Sequence, residues 1–289
     1  MHLLICSDGT AAADKLADVG ALIAGPCGAS VTLLGIAERP ADEAPLRAAV
    51  ENEAAHLRQS GIAPELKFSA GDPVAQILRE VSSVRYDLVL VGSGRKGASG
   101  SFWRSQRAYE LIRTIPPPVL AAGESCERLS KFLVCTGGKH YIEAAVKLTG
   151  EIAACAGASV TLLHVMAEPP MIYADLMRLE EDVDALLAAG SELGRNLRAQ
   201  KEGLEKLGVA AEVRVRHGNV LEQVFAEVRD GGHDMIVTGS SRARGALQHY
   251  IMGDITRSIL DRANCPVLVA RPPLQVQTGF LGTLRRLFS

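Results

Sequence analysis

Apolar residues in this chain fall into short, nearly unbroken runs separated by longer polar stretches in which they return every three or four positions. The runs at 3–6, 30–36, 87–91 and 118–121 read as strands covered on both faces. The intervening segments 10–24, 42–59, 73–84 and 104–114 read as helices, and a further strand ends just before Gly71-Asp72-Pro73. Strands alternating with helices predict an α/β fold with a doubly wound parallel sheet and right-handed crossovers. Such sheets bind ligands beyond the carboxyl ends of their strands, which directs attention to the loops after strands one and four.

The same series then begins again. The heptapeptide GASVTLL occurs at 28–34 and at 157–163, and other landmarks return in order: Ile5-Cys6-Ser7-Asp8 against Val134-Cys135-Thr136-Gly137, Gly71-Asp72 against Gly218-Asn219, and 87–93 against 234–240. The spacing between copies is 129 residues early and 147 later, so the second copy carries 18 extra residues, placed within 167–208. Two long copies are not a solenoid, which needs three or more units of roughly 20 to 50 residues. Each copy is therefore expected to carry its own core. The chain divides into domain 1 (1–126), domain 2 (127–275) and a tail (276–289).

Composition narrows the partners without naming one. The 289 residues suit two domains, and a net charge of −2 with 22% charged residues offers no basic field for nucleic acid. Met1 leads straight into a strand-like run, with no leader ahead of it, and no apolar run approaches the ~18 residues of a membrane span. A cytoplasmic protein without nucleic-acid or membrane partners is expected. The six cysteines show no CxxC or Cys/His ligand spacing, and we expect buried thiols rather than a metal site.

Chemistry is most legible after strand four of the second copy. Gly239-Ser240-Ser241-Arg242-Ala243-Arg244-Gly245 follows a buried strand, and Gly253 precedes a helix at about 254–262. Glycines let a backbone turn its N–H groups inward, a helix start adds unpaired donors and partial positive charge, and two arginines can neutralise oxyanions. The same residues also suit a tight strand-to-helix turn with two solvated arginines.

At this loop the chain resembles the universal stress protein family, and the likeness runs through both copies to Pro266-Val267-Leu268-Val269. The resemblance implies a five-stranded parallel sheet in each half. It also implies a pairing of last strands that would bring Val119-Leu120 beside Val267-Leu268. Family members that bind ATP show Gly, two residues, Gly, nine residues, then Gly with Ser or Thr after strand four. They also have an Asp at the end of strand one near adenine, and backbone contacts from the end of strand two. Carried over residue by residue, the first copy retains Asp8, Gly92 and Gly94 but has Ser105-Gln106 where the closing Gly-Ser belongs. The second copy retains Gly239, Ser240, Gly245 and Gly253, with Arg242 and Arg244 in the loop and Val165 at the end of strand two, but has Gly137 in place of the acid. Asp254 follows Gly253, and a carboxylate in a first helical turn takes backbone donors that a phosphate would use. Held ~4 Å from a phosphate at an effective dielectric near 20, it would cost on the order of 4 kcal/mol of binding. The implied site is a degenerate adenine-nucleotide site, best preserved in domain 2, with ATP as its ligand.

Other motifs are weaker. Gly92-Ser93-Gly94-Arg95-Lys96-Gly97 spells GxGxxG, yet it sits on strand four and its counterpart lacks the middle glycine. Thr136-Gly137-Gly138-Lys139 is similar to the Ser-Gly-Gly loop of ATP pyrophosphatases, but His140 and Tyr141 stand where that family has Asp and Ser. His164 is expected to be packed and hydrogen-bonded, and no Ser/His/Asp set or carboxylate pair is identifiable from spacing. In the insertion, Leu193, Leu197, Leu204 and Leu207 keep helical spacing; that face either covers its own sheet or meets a homodimer or protein partner, as the tail residues 276–289 also could. The expected activity is non-catalytic binding and regulation in a stress response, with slow ATP hydrolysis at the domain 2 loop, or a ligand-free scaffold, as the alternatives.

Overall fold

The computed structural model describes residues 1–92, 105–122, 126–137, 143–167, 183–239, 241–242, 250–251 and 254–271. Repeat one runs β1 (His2–Ser7), α1 (Ala11–Cys27), β2 (Ser30–Ala37), α2 (Glu43–Gln59), β3 (Glu65–Ala70), α3 (Pro73–Ser83), β4 (Leu88–Gly92), α4 (Ser105–Thr114) and β5 (Val119–Ala122). Repeat two runs β6 (Lys131–Cys135), α5 (Glu143–Ala156), β7 (Ser159–Met166), α6 (Val183–Ala188), α7 (Glu192–Glu205), β8 (Ala211–His217), α8 (Val220–Gly231), β9 (Met235–Gly239), β10 (Ser241–Arg242), β11 (Tyr250–Ile251), α9 (Asp254–Arg262) and β12 (Val267–Ala270).

The recurrent landmarks have mechanical causes. Gly28 and Gly157 both take positive φ (57° and 64°), the left-handed conformation in which a helix ends and the chain turns into the next strand. Gly71-Asp72 and Gly218-Asn219 start helices: the Asp72 carboxylate accepts the Ala75 amide at 2.9 Å, and the Asn219 side-chain oxygen accepts those of Leu221 and Glu222 at 3.0 and 3.3 Å. The aspartate ahead of strand four ties two strand starts together. Asp87 accepts the His2 amide at 2.8 Å, and Asp234 accepts the Ser130 and Lys131 amides at 2.7 and 3.0 Å.

All ten long strands form one sheet, in the order β3-β2-β1-β4-β5-β12-β9-β6-β7-β8. Pairing is parallel within each half and antiparallel only where β5 meets β12, with Val119 opposite Val269, Leu120 opposite Leu268 and Ala121 opposite Val267. The last strands therefore pair as the sequence implied.

The expectation of one core per repeat is corrected: the apolar layers are organised by face of the sheet, and each spans both halves. One face unites Leu3, Ile5, Leu33 and Leu90 with Phe132, Val134, Leu162 and Val237 beneath α1, α2, α5 and α7. The other unites Leu4, Val89, Ile112 and Val119 with Leu133, Ile236, Ile259 and Val267 beneath α3, α4, α8 and α9. The physical reason is the seam. Two sheets joined edge to edge by hydrogen bonds present continuous faces, so the helices on either side of the join pack against each other as well as downward.

Leu197 and Leu204 of α7 are buried, and Val183, Leu186, Leu187 and Leu193 pack against the same apolar layer, so most of the apolar face of the insertion's described part covers its own sheet, while Leu207 of that face is exposed. The expectation of uniformly buried thiols is also corrected. Cys6 is buried, but Cys155 is exposed on α5 and the other four are half-buried. Among the described residues no helix is long and apolar enough to cross a membrane.

Candidate functional site

At the carboxyl end of β1 the chain leaves the sheet through Ser7-Asp8-Gly9-Thr10. Asp8 does not stand idle there: its Oδ1 accepts the Thr10 amide at 3.0 Å and the Thr10 hydroxyl at 2.6 Å, fixing the turn into α1. Ser7, buried, donates its hydroxyl to Glu53 Oε1 of α2 at 2.6 Å and accepts the Gly9 amide at 3.1 Å. Burial of Glu53, opposed by the Ser7 bond and reinforced by the nearby charges of Asp14 and Asp8, pushes its carboxyl up to about 7. Gly92 ends β4, the strand paired directly with β1, and is buried opposite Ala122. The rest of the first loop, Gly94 included, lies outside the described residues.

In repeat two the corresponding turn begins at Thr136 and Gly137. His164 near the end of β7 reaches back to it, its Nδ1 2.9 Å from the Thr136 carbonyl oxygen. The repeat-one counterpart of His164 is Gly35, where an added Cβ would meet Val50 Cγ2 at 2.9 Å. His164 is thus a packed, hydrogen-bonded side chain, as expected from its position. Val165 follows it on β7, opposite Arg216 of β8.

Gly239 ends β9 opposite Ala270, and a Cβ added there would meet nothing within 4 Å among the described residues. Beyond it the expected continuous glycine loop is corrected: Ser241 and Arg242 pair antiparallel with Ile251 and Tyr250, making a two-stranded ribbon. In an antiparallel ladder only alternate facing pairs exchange both hydrogen bonds, so this short ribbon engages part of the backbone that an anion cradle would use. Ser240, Arg244, Gly245 and Gly253 lie outside the described residues. Asp254 is the first residue of α9 and exposed, and no hydrogen bond to its carboxylate is found among the described residues. Its charge therefore acts through solvent, and the opposition to a phosphate ~4 Å away falls toward about 1 kcal/mol. The structure thus brings Gly239, Arg242 and Asp254 to the segment after β9, while Asp8 and Gly92 belong to the other half.

A second polar region escaped the sequence reading. Along the outer strands, Glu80 of α3 receives Lys67 Nζ at 2.8 Å and the Tyr86 hydroxyl at 2.6 Å. Burial alone would raise the Glu80 carboxyl, but these bonds outweigh it and hold the group below its ordinary value. At the equivalent place in repeat two, Glu227 of α8 is fully buried; its Oε2 receives Arg216 Nε at 2.6 Å, while its Oε1 lies 3.5 Å from Arg214 Nε, an ion pair without a hydrogen bond. His233 sits beneath, its Nδ1 3.0 Å from the Glu227 carbonyl oxygen and its Nε2 3.0 Å from Thr161 Oγ1. The signal that would have found this region is the common 147-residue spacing of Lys67 and Arg214, Glu80 and Glu227, and Tyr86 and His233.

A duplicated five-strand unit with a glycine ending its fourth strand is the setting in which comparison with known proteins becomes informative. The sequence model of the universal stress protein family matches residues 1–122 and again 129–271. The chain belongs to the universal stress protein family. Among curated relatives it is similar to universal stress protein Slr1230 of Synechocystis, 22% identical over 189 residues that cover 64% of this chain and 58% of that protein's own length. It is also similar to universal stress protein YxiE of Bacillus subtilis, 24% identical over 147 residues, 49% of this chain and 99% of that one. The fold of this tandem universal stress protein matches that of a universal stress protein from Archaeoglobus fulgidus, with a TM-score of 0.65 at 18% identity, covering 94% of this chain and 98% of that one. A functionally unknown protein from Pseudomonas aeruginosa matches with a TM-score of 0.64 at 18% identity, over 94% of this chain and 92% of that one.

Proposed function

We propose that this tandem universal stress protein is a non-catalytic binding and regulatory module of the cytoplasmic stress response. It holds an adenine nucleotide weakly at the domain 2 loop, with Gly239, Ser240, Arg242, Arg244, Gly245 and Gly253 toward the phosphates and Val165 toward the base. The observation that carries this reading is that no described residue crowds Gly239 at the carboxyl end of β9, on the segment that leads to the helix start of α9. Asp254 at that start weakens the site, because its negative charge meets the phosphates where the helix would otherwise attract them. A homodimer or a protein partner would engage the outer side of the 167–208 insertion or the tail, since the inner side of α7 is spent on its own sheet.

Titration of ATP with Mg²⁺ into the full chain in a calorimeter, with phosphate release followed in parallel, tests this. Weak heat without phosphate release is expected, and Asp254→Ser is expected to tighten binding roughly fivefold to tenfold. Phosphate release would make the protein a hydrolase. Absence of heat in both forms would leave the scaffold reading, and unchanged affinity in Asp254→Ser would remove the charge argument.

A further inference from the structure

Beneath the carboxyl end of β1, Glu53 is 2% exposed, yet only one of its oxygens is engaged: Oε1 takes the Ser7 hydroxyl, while Oε2 is buried without a hydrogen-bond partner. Gly9, bonded to the same Ser7 hydroxyl, has φ 72° and lies against Leu46 and Ala49 of α2, the helix that carries Glu53. The turn that presents Asp8 is therefore seated on α2 next to a buried carboxyl. The charges that reach this carboxyl are acidic, Asp14 from the first turn of α1 and Asp8 from the turn itself. The strand β2 contributes no titratable side chain, Cys6 of β1 belongs to the opposite face, and His56, three residues further along α2, is held by Asp18 at 2.8 Å.

The duplication supplies an internal control. The buried leucines Leu57 and Leu204 in the last turns of α2 and α7, and the glycines after them at 61 and 208, are related by the 147-residue spacing, which sets Gln200 of α7 at the Glu53 position. Gln200 is 5% exposed, and its Oε1 is also buried without a partner. Both copies thus bury the same polar shape, but only the first can gain or lose a proton.

We infer that Glu53 is a proton sensor for the repeat-one ligand loop: neutral, it holds the Ser7–Gly9 turn on α2; ionised, it loosens that turn, while Gln200 keeps repeat two indifferent to pH over the same interval. An ionised carboxylate with one unsolvated oxygen and two acidic neighbours is costly to bury, a cost that the strengthened Ser7 bond offsets only in part. Because the carboxyl titrates at about 7 in the fold against an ordinary 4.5, the folded chain holds the proton more tightly than the unfolded chain does. Stability therefore falls as pH rises from about 4.5 to about 7 and is level above that interval. The inference concerns the loop whether or not a nucleotide binds.

Amide hydrogen exchange at Gly9 and Thr10 in the full chain, corrected for intrinsic pH dependence, tests it at pH 6 and pH 8. Protection in the natural protein is expected to drop roughly tenfold at the higher pH. E53Q, which copies the second repeat, is expected to abolish the drop. A carbon-13 titration of the Glu53 carboxyl in the unaltered chain provides a measurement that needs no variant, with an expected midpoint of about 7. A midpoint at the ordinary carboxylate value, or the same loss of protection in E53Q, overturns the inference.

Discussion

Along the outer strands of repeat one, a lysine and a tyrosine converge on Glu80; at the matching place in repeat two, two arginines converge on Glu227, and His233 stands where Tyr86 stood but bonds Thr161 instead of the carboxylate. The carboxylate persisted while every donor around it changed. The partners differ with burial: at 16% exposure one oxygen of Glu80 receives both an ammonium and a hydroxyl, whereas at 0% Glu227 is held by the Arg216 guanidinium on one oxygen and by the charge of Arg214 beside the other. The carboxyl ends of the strands diverged differently. Repeat one keeps an acid engaged by its own turn, and repeat two fills the same region with His164. A shared scaffold has tolerated exchange of chemistry at both ends of its strands.

The strongest way to break the comparison is at the join, where the halves cease to be separate. Leu268 is fully buried opposite Leu120, so Leu268→Asp places a charge in the apolar layer that crosses the seam. A loss exceeding about 4 kcal/mol is expected. Urea denaturation should show it as a single cooperative transition in the natural chain that splits or broadens in the variant. Next in size is the carboxylate pair. Glu227→Ala empties a fully buried site and removes one partner from Arg216, which keeps Asp230, and from Arg214, which keeps Glu212; it is expected to cost about 3 kcal/mol, against roughly 1 to 2 kcal/mol for Glu80→Ala, both read from urea midpoints at one pH. Equal losses would mean that burial does not govern the difference. The smallest contrast is between glycines: Gly35→Ala should cost about 1 to 2 kcal/mol through its clash with Val50, while Gly239→Ala, which no described residue crowds, should change thermal stability by less than about 0.5 kcal/mol.

Much of the architecture was legible because it depends on local pattern. Unbroken apolar runs identified the strands, and the repeated GASVTLL marked a helix-ending glycine feeding a buried strand, a device visible within seven residues. Pairing of Val119-Leu120 with Val267-Leu268 was legible through family likeness alone, since nothing in either segment names the other. The continuous core was not legible, because periodicity reports which residues are buried but not against which neighbour. Glu53 escaped for the same reason. It looks like one more acid on a polar helix until the fold turns it toward Ser7, 46 positions away. The ribbon of Ser241–Arg242 with Tyr250–Ile251 interrupts what glycine content alone reads as a loop.

The antiparallel seam has one more outcome. In a pair of identical subunits every substitution is inherited twice, and an acid introduced on one side is introduced on the other. Here the two sides are encoded separately and welded along β5 and β12, and their ligand edges open in opposite directions. One molecule can therefore keep a glutamate at one end and a glutamine at the other without exchanging its partner.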